Sequence, residues 1–282
     1  MVSSDTPAAV LHRSPAGRPE KTAFLAGAQN IFRKEVLEWF RTRRFLVASL
    51  LTTLLLGVVP VGVFLHEGGL SHGRFVLAHG TYDNMMEAWI ALSVTLGNYL
   101  MIALTMGMLV REEETGTAQW LFTKPVSRAG YGLAKYTANA LVAILAAVVV
   151  PGLVFIGLTN LLFSNGIEHW GGAFGALGIA SFHAAVVIGI ILALSTLFRS
   201  QAPVAGIVIG LGFLPLVAAG AQSVRLIAWT IFGAPVWMGP AVAAPLARGT
   251  AVRSFEALVV WLLLTPLLVA FACWRLTRKQ LQ

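Results

Sequence analysis

Few residues in this chain are placed to do chemistry. His66-Glu67 begins like the zinc-binding helix of a metalloprotease but lacks the second histidine, and no other metal-ligand spacing occurs. The single cysteine, Cys273, lies inside an apolar run, which leaves no disulfide framework and no cysteine-rich zinc site. No Gly-x-x-x-x-Gly-Lys-Ser/Thr segment is present, so the chain has no phosphate-binding loop of its own. There is no Gly-x-Gly-Asp pair and no serine in an evident nucleophile setting. Asp83, Glu87 and Glu168 fall at the ends of apolar runs, where a solvated carboxylate is the default. An intramembrane protease or lipid-modifying transferase therefore lacks its catalytic groups. The densest cluster of charge and punctuation is residues 111–135, REEETGTAQWLFTKPVSRAGYGLAK, set between two very apolar runs. Three successive carboxylates, Glu112, Glu113 and Glu114, cannot sit in hydrocarbon, so this segment works in water or among lipid headgroups.

Its local physics is legible. A helix arriving from the membrane can run to Thr115 and stop at Gly116, which is free to take the left-handed conformation of a helix end. Thr117 can cap a short helix over residues 118–123, and Pro125 disfavours helix at Lys124. Ser127 can cap the next helix, beginning near Arg128. The expected product is a short helix lying across the membrane surface, with Trp120, Leu121 and Phe122 apolar and Lys124 and Arg128 near the lipid phosphates. By itself this is either a solvated turn with an interfacial aromatic anchor or a docking lever for a partner protein.

The elements that must hold it are membrane helices. Hydrophobic residues make up 57% of the 282, and only 11% are charged, whereas a soluble domain carries about 25%. Residues 1–22 are rich in Pro, Ser, Ala and Arg without apolar periodicity, which reads as a disordered cytoplasmic tail and not as a signal peptide. Residues 23–44 carry apolar groups at roughly helical spacing, the pattern of an amphipathic interfacial helix. Six spans are expected, at 45–65, 86–110, 136–158, 174–198, 202–221 and 255–274, each long enough for a hydrocarbon core of about 30 Å. The apolar stretch 226–246 is broken by Pro235, Pro240 and Pro245, so it reads as a re-entrant or surface helical hairpin between spans five and six. The fold class is thus an all-α polytopic membrane protein, with a transmembrane domain over 45–275 and a short tail over 276–282. Of the 20 Lys and Arg, only Arg74, Arg225, Arg248 and Arg253 fall on one side of these spans. The positive-inside rule then places both termini and the 111–135 loop in the cytoplasm. It also accounts for the net charge of +8 without any nucleic acid. Asn98, Asn139 and His183 are polar groups in or near spans; each either lines a translocation path or bonds a neighbouring helix.

The order Glu112-x-Glu114-x-Gly116-Thr117, Trp120-Leu121, Pro125-x-Ser127-Arg128 and Lys135 resembles the cytoplasmic loop of ABC-2 type permeases, the membrane subunits of one class of ATP-binding-cassette exporters. The resemblance implies that this loop is a coupling helix docking on a separate ATPase subunit, with those ten residues as the coupling set. It implies two ATPase copies, a permease homodimer or paired permease, and ATP and Mg bound on the partner, with no cofactor on this chain. It places the protein in a bacterial or archaeal plasma membrane as a transport subunit and not an enzyme. Export is expected because the importer loop carries Glu-Ala-Ala and a Gly where Glu-Glu-Thr-Gly-Thr stands here. The alternatives are an ATP-independent, proton-coupled small-molecule carrier, which would want buried carboxylates in the spans, and the intramembrane enzyme weighed above.

Overall fold

The computed structural model describes residues 27–67, 69–71, 74–76, 81–124, 126–163, 170–219 and 256–278. The expected tail at 1–22, the expected hairpin between spans five and six, and Pro125 lie outside them.

The chain runs through α1 (Ala28–Arg41), α2 (Arg44–Thr52), a π-helical turn (Thr53–Val58) and α3 (Val59–Glu67). Two three-residue antiparallel strands follow, β1 (Gly69–Ser71) and β2 (Arg74–Val76), with Leu70 opposite Phe75. They are the one exception, among the described residues, to an all-helical expectation. Then come α4 (Thr81–Thr105), α5 (Val110–Glu114), α6 (Thr117–Leu121) and α7 (Arg128–Ile144). A second π-helical turn (Leu145–Val149) joins α7 to α8 (Val150–Leu162), and α9 (Trp170–Ser195), α10 (Gln201–Ala219) and α11 (Glu256–Arg278) are the remaining elements among the described residues.

Among the described residues, five helices are long and apolar enough to cross a membrane: Arg44–Val63, Ala88–Glu114, Arg128–Leu162, Trp170–Ser195 and Val259–Arg278. Helix α10 coincides with the fifth expected span, but its described apolar part, Gln201–Leu211, is shorter. Leu46, Val47, Leu50 and Leu54 on α2 and its π turn, and Leu262, Leu263 and Leu267 on α11, are exposed. A contiguous exposed apolar surface of this kind suits lipid tails and not water. Helix α9 is the centre of the bundle: 67% of its apolar window is buried, against 28% for α11, and it packs on α4, α7, α10 and α11.

Both π-helical turns end two residues before a proline, Pro60 and Pro151. Proline has no N–H and its ring collides with the preceding turn of an α-helix. Widening the helix by one residue relieves that collision. The second turn packs on α2 and the first on α8. Thr52 Oγ1 lies 2.8 Å from Ala146 O on the facing helix and 2.7 Å from Ala48 O on its own, so the hydroxyl serves a carbonyl that the wide turn loosens.

Helix α7, its π turn and α8 form one 35-residue rod. At 1.5 Å per residue it is about 52 Å long, well beyond a hydrocarbon core of about 30 Å. Its first turns, absent from the expected span at 136–158, carry the charged residues Arg128 and Lys135. Just beyond its π turn the rod packs closely. A β-carbon on Gly152 would stand 2.5 Å from Leu177 Cδ1 and 2.8 Å from Trp89 Cζ2, and Trp89 is fully buried against Phe155. Gly152→Val should destabilise the purified protein by about 1–3 kcal/mol through overpacking, read as a lower Tm in detergent. An unchanged Tm would mean that α4, α8 and α9 do not meet at this position.

Candidate functional site, a buried ion cluster behind an exposed short helix

Helix α4 ends at Thr105, whose hydroxyl donates to Met101 O at 2.6 Å, a back-bond that bends helices. The chain turns over 106–109 and resumes as α5, so the second span does not run straight into the loop. Thr115 closes α5, and Gly116 follows with φ 71°, ψ 0°, the left-handed geometry expected there. Thr117 does not act as the cap. Gly116 occupies the N-cap position, Thr117 is the first residue of α6, and its hydroxyl lies 2.9 Å from that of Thr115. Helix α6 is correspondingly one residue earlier at its start and stops at Leu121. Thr123 Oγ1 donates to Trp120 O at 2.8 Å in the closing turn. Ser127 Oγ accepts from Gly130 N at 2.8 Å, capping α7.

The apolar patch at 120–122 divides between two faces. Ala118 is buried, Leu121 and Phe122 pack inward, and the Phe122 ring meets Tyr131 edge-on at 5.2 Å. Arg128 covers the Phe122 ring at 5.4 Å. Trp120, one residue earlier and about 100° around the helix, is 61% exposed, with Lys124 Nζ 4.4 Å above its ring. Glu114 and Thr117 are exposed beside it, and Glu114 Oε2 accepts from Gln201 Nε2 at 3.4 Å.

Behind this surface lies an ion cluster. Lys135 is only 3% exposed, and its Nζ sits 2.8 Å from both Glu35 Oε1 and Glu112 Oε1. Lys34 Nζ reaches the same Glu112 oxygen at 2.8 Å, while Tyr131 OH donates to Glu112 Oε2 at 2.7 Å. Asn139, one turn beyond Lys135, accepts from Trp39 Nε1 at 3.1 Å and donates towards Glu35 Oε2 at 3.4 Å and Lys135 O at 2.9 Å. Helices α1, α5 and α7 are thus joined through two lysines, two glutamates and their hydrogen-bonding neighbours. Burial pulls the Lys34 pKa down, but the hydrogen bond to Glu112 and the charges of Glu112, Glu35 and Glu38 outweigh it, so the net shift is upward. The contribution of Lys34 is then fully present at neutral pH and is lost only as pH rises through that raised value.

Of the ten residues expected to form the coupling set, Glu112 and Lys135 are therefore turned inward, Leu121 is half-buried, and Glu114, Thr117 and Trp120 face out. Asn139 uses its amide on α1. His183, buried on α9, stacks obliquely on Trp261 of α11 at 4.9 Å. Asn98 belongs to α4, but its side chain lies outside the described residues. Sequence reasoning missed Lys34, Glu35, Trp39 and Tyr131. A signal existed for Glu35: Ile31, Glu35 and Trp39 are spaced four apart and form the buried face of α1, whereas Leu37 and Phe40 are exposed. A carboxylate in a packing stripe demands a buried cation.

Next to the cluster is a cavity of about 390 Å³, bounded by α1, the start of α2, the bend at 106–109, α7 and Gln201. No group of three or more His, Cys, Asp or Glu that could hold a metal occurs among the described residues.

Removing the central cation should be the most damaging change in the cluster. Lys135→Met would leave Glu35 and Glu112 buried without it, a loss of about 3–5 kcal/mol for a broken buried pair. Adding Glu35→Gln should recover part of that loss. The check is a double-mutant cycle on Tm in detergent. Strictly additive losses would mean the two residues do not interact.

A model of ABC-2 family transporter proteins matches residues 29–281. No curated protein matches the chain. The matched segment begins within α1 and includes the whole ion cluster, the loop with α6, and the five membrane-length helices. The chain belongs to the ABC-2 family of transporter proteins and is a membrane-spanning permease of an ABC transporter.

Proposed function

We propose that this protein is the permease of an exporter, with six spans, and that α6 is the helix through which a separate ATPase drives it. The observation that carries this reading is the division of labour around α6. Its inner face is fixed by Ala118, Leu121 and Phe122, while Trp120 stands 61% exposed between Glu114, Thr117 and Lys124. A rigidly held helix with an unsheltered tryptophan has the form of a docking knob, since buried aromatics dominate interface energetics. Family membership implies an ABC ATPase partner. With ATP and Mg on that partner, this chain needs no nucleotide site.

In this reading ATP binding closes the ATPase pair, and each ATPase carries one α6 with it. Two permeases, identical or paired, face each other across the path. Glu114, Gly116, Thr117 and Trp120 make or shape the contact. Pro125, Ser127 and Arg128 set the exit into α7. Glu112 and Lys135 transmit the displacement, because they connect α5 to α1 and α7. The loop is cytoplasmic, as the distribution of Lys and Arg requires.

Two substitutions separate docking from folding. A Cβ on Gly116 would meet nothing within 4 Å, so Gly116→Val has only a backbone cost, about 1 kcal/mol or more at this left-handed φ. It should reorient α6 while leaving membrane abundance near normal. Trp120→Ala should weaken ATPase binding by about 2 kcal/mol, roughly 30-fold. Co-purification of the ATPase together with stimulated ATP hydrolysis is the measurement, normalised to permease in the membrane. If both variants retain the ATPase and its stimulation at wild-type levels, α6 is a solvated turn and the docking role fails.

A further inference from the structure

The cavity beside the ion cluster has charges left over. Six charged side chains line it: Glu35, Glu38, Glu112, Arg44, Arg111 and Lys135. Glu35, Glu112 and Lys135 neutralise one another within the cluster, with Lys34 adding a fourth charge from α1. Arg44, Arg111 and Glu38 form no ion pair with any other described residue. The cavity therefore offers two guanidiniums outside any ion pair among the described residues, and one carboxylate, Glu38, that acts on Lys34 only at longer range. Guanidinium pairs are the side chains best matched to phosphate oxygens, and a single carboxylate next to them matches an amine. About 390 Å³ falls within the range of small-molecule sites, about 300–1,000 Å³.

Location narrows the ligand further. Arg44 is the first residue of α2, where α1 gives way to the first membrane helix. Leu46 and Val47, just beyond it, are 54% and 60% exposed on the lipid-facing surface, and exposed Ala103 in the last turn of α4 lines the cavity itself. The cavity thus sits at the headgroup level, with apolar helix surface leading away from it. Basic pockets between membrane helices at this level are suited to phospholipid headgroups.

We propose that this cavity binds a phosphate ester bearing a primary amine, the headgroup chemistry of phosphatidylethanolamine. Arg44 and Arg111 take the phosphate and Glu38 takes the ammonium. The acyl chains of a lipid ligand descend along α2 and α4. The site does not depend on the docking role of α6, and its test uses no ATPase.

The test is native mass spectrometry of the full chain in detergent, titrated with dihexanoyl-phosphatidylethanolamine, dihexanoyl-phosphatidylglycerol, glycerophosphoethanolamine and inorganic phosphate. One saturable phosphatidylethanolamine per chain is expected. Arg44→Gln and Arg111→Gln should each weaken it at least tenfold. Arg33→Gln, an exposed arginine of α1 outside the cavity, should leave it unchanged. Glu38→Gln should abolish the preference for the ethanolamine lipid over the glycerol lipid, and it remains informative should an arginine variant fail to fold. Glycerophosphoethanolamine binding more than tenfold weaker than the lipid assigns the site to the membrane. Equal binding, with the same arginine dependence, assigns it to a soluble ester of the same chemistry. Unsaturable lipid uptake that ignores all three cavity variants, or binding of inorganic phosphate as tight as that of either ester, would overturn the proposal.

Discussion

Everything on the loop side of this protein depends on the Lys135 ammonium, held almost out of water between Glu35 and Glu112. A buried charge is tolerated only when paired and hydrogen-bonded, because the desolvation of each ion costs several kcal/mol. Here the pairing partners come from two different elements, α1 and α5. Neither helix can leave α7 without stranding a charge. Tyr131 and Lys34 complete the Glu112 carboxylate, and Asn139 completes Glu35 from one turn further along. The 14-residue α1, the five-residue α5 and the start of the α7–α8 rod are thereby joined to one another.

That pairing ties a short loop to a long bundle, as the proposed docking role requires. Helix α6 has only five residues and could not fold alone, since the first turn of a helix is costly to nucleate. Its inner face leans on Tyr131 through Phe122, and Tyr131 is itself bonded to Glu112. In the proposed docking role, a push on Trp120 would reach α7 through Phe122 and Tyr131 and α1 through the lysines. Along the rod, the π-helical turn near Pro151 packs on α2, where Thr52 bridges the two helices. The rod is tied to α1 and α5 near the loop, carries its π turn near the middle, and packs closely just beyond it, at Gly152 against Trp89.

Much of this was legible in the residues. Hydrophobic run lengths located the membrane helices because bilayer thickness fixes how many apolar residues a span needs. Gly116 and Ser127 announced the breaks around α6 because a left-handed helix end and an N-cap hydroxyl are local requirements, satisfied within a few residues. Thr117 was misassigned for a related reason: Gly116 can begin the next helix as well as end the last one, and that left Thr117 a helical position. The division of Trp120 from Leu121 and Phe122 was not legible, since it depends on which face of α6 meets Tyr131.

What the sequence by itself determined is the set of features that are local or set by the solvent: the apolar runs, the uneven distribution of Lys and Arg between them, the chain breaks at Gly116 and before Ser127, and the absence of any nucleotide loop. Only the tertiary structure decided that Glu112 and Lys135 face each other and not the outside, that Glu35 and Trp39 belong with them, and that Asn139 serves α1. Lys135 lies 100 residues from Glu35 and 23 from Glu112 in the chain. No periodicity links positions so far apart; the bond exists because α1 folds back along α7, and a buried charge must find its partner there.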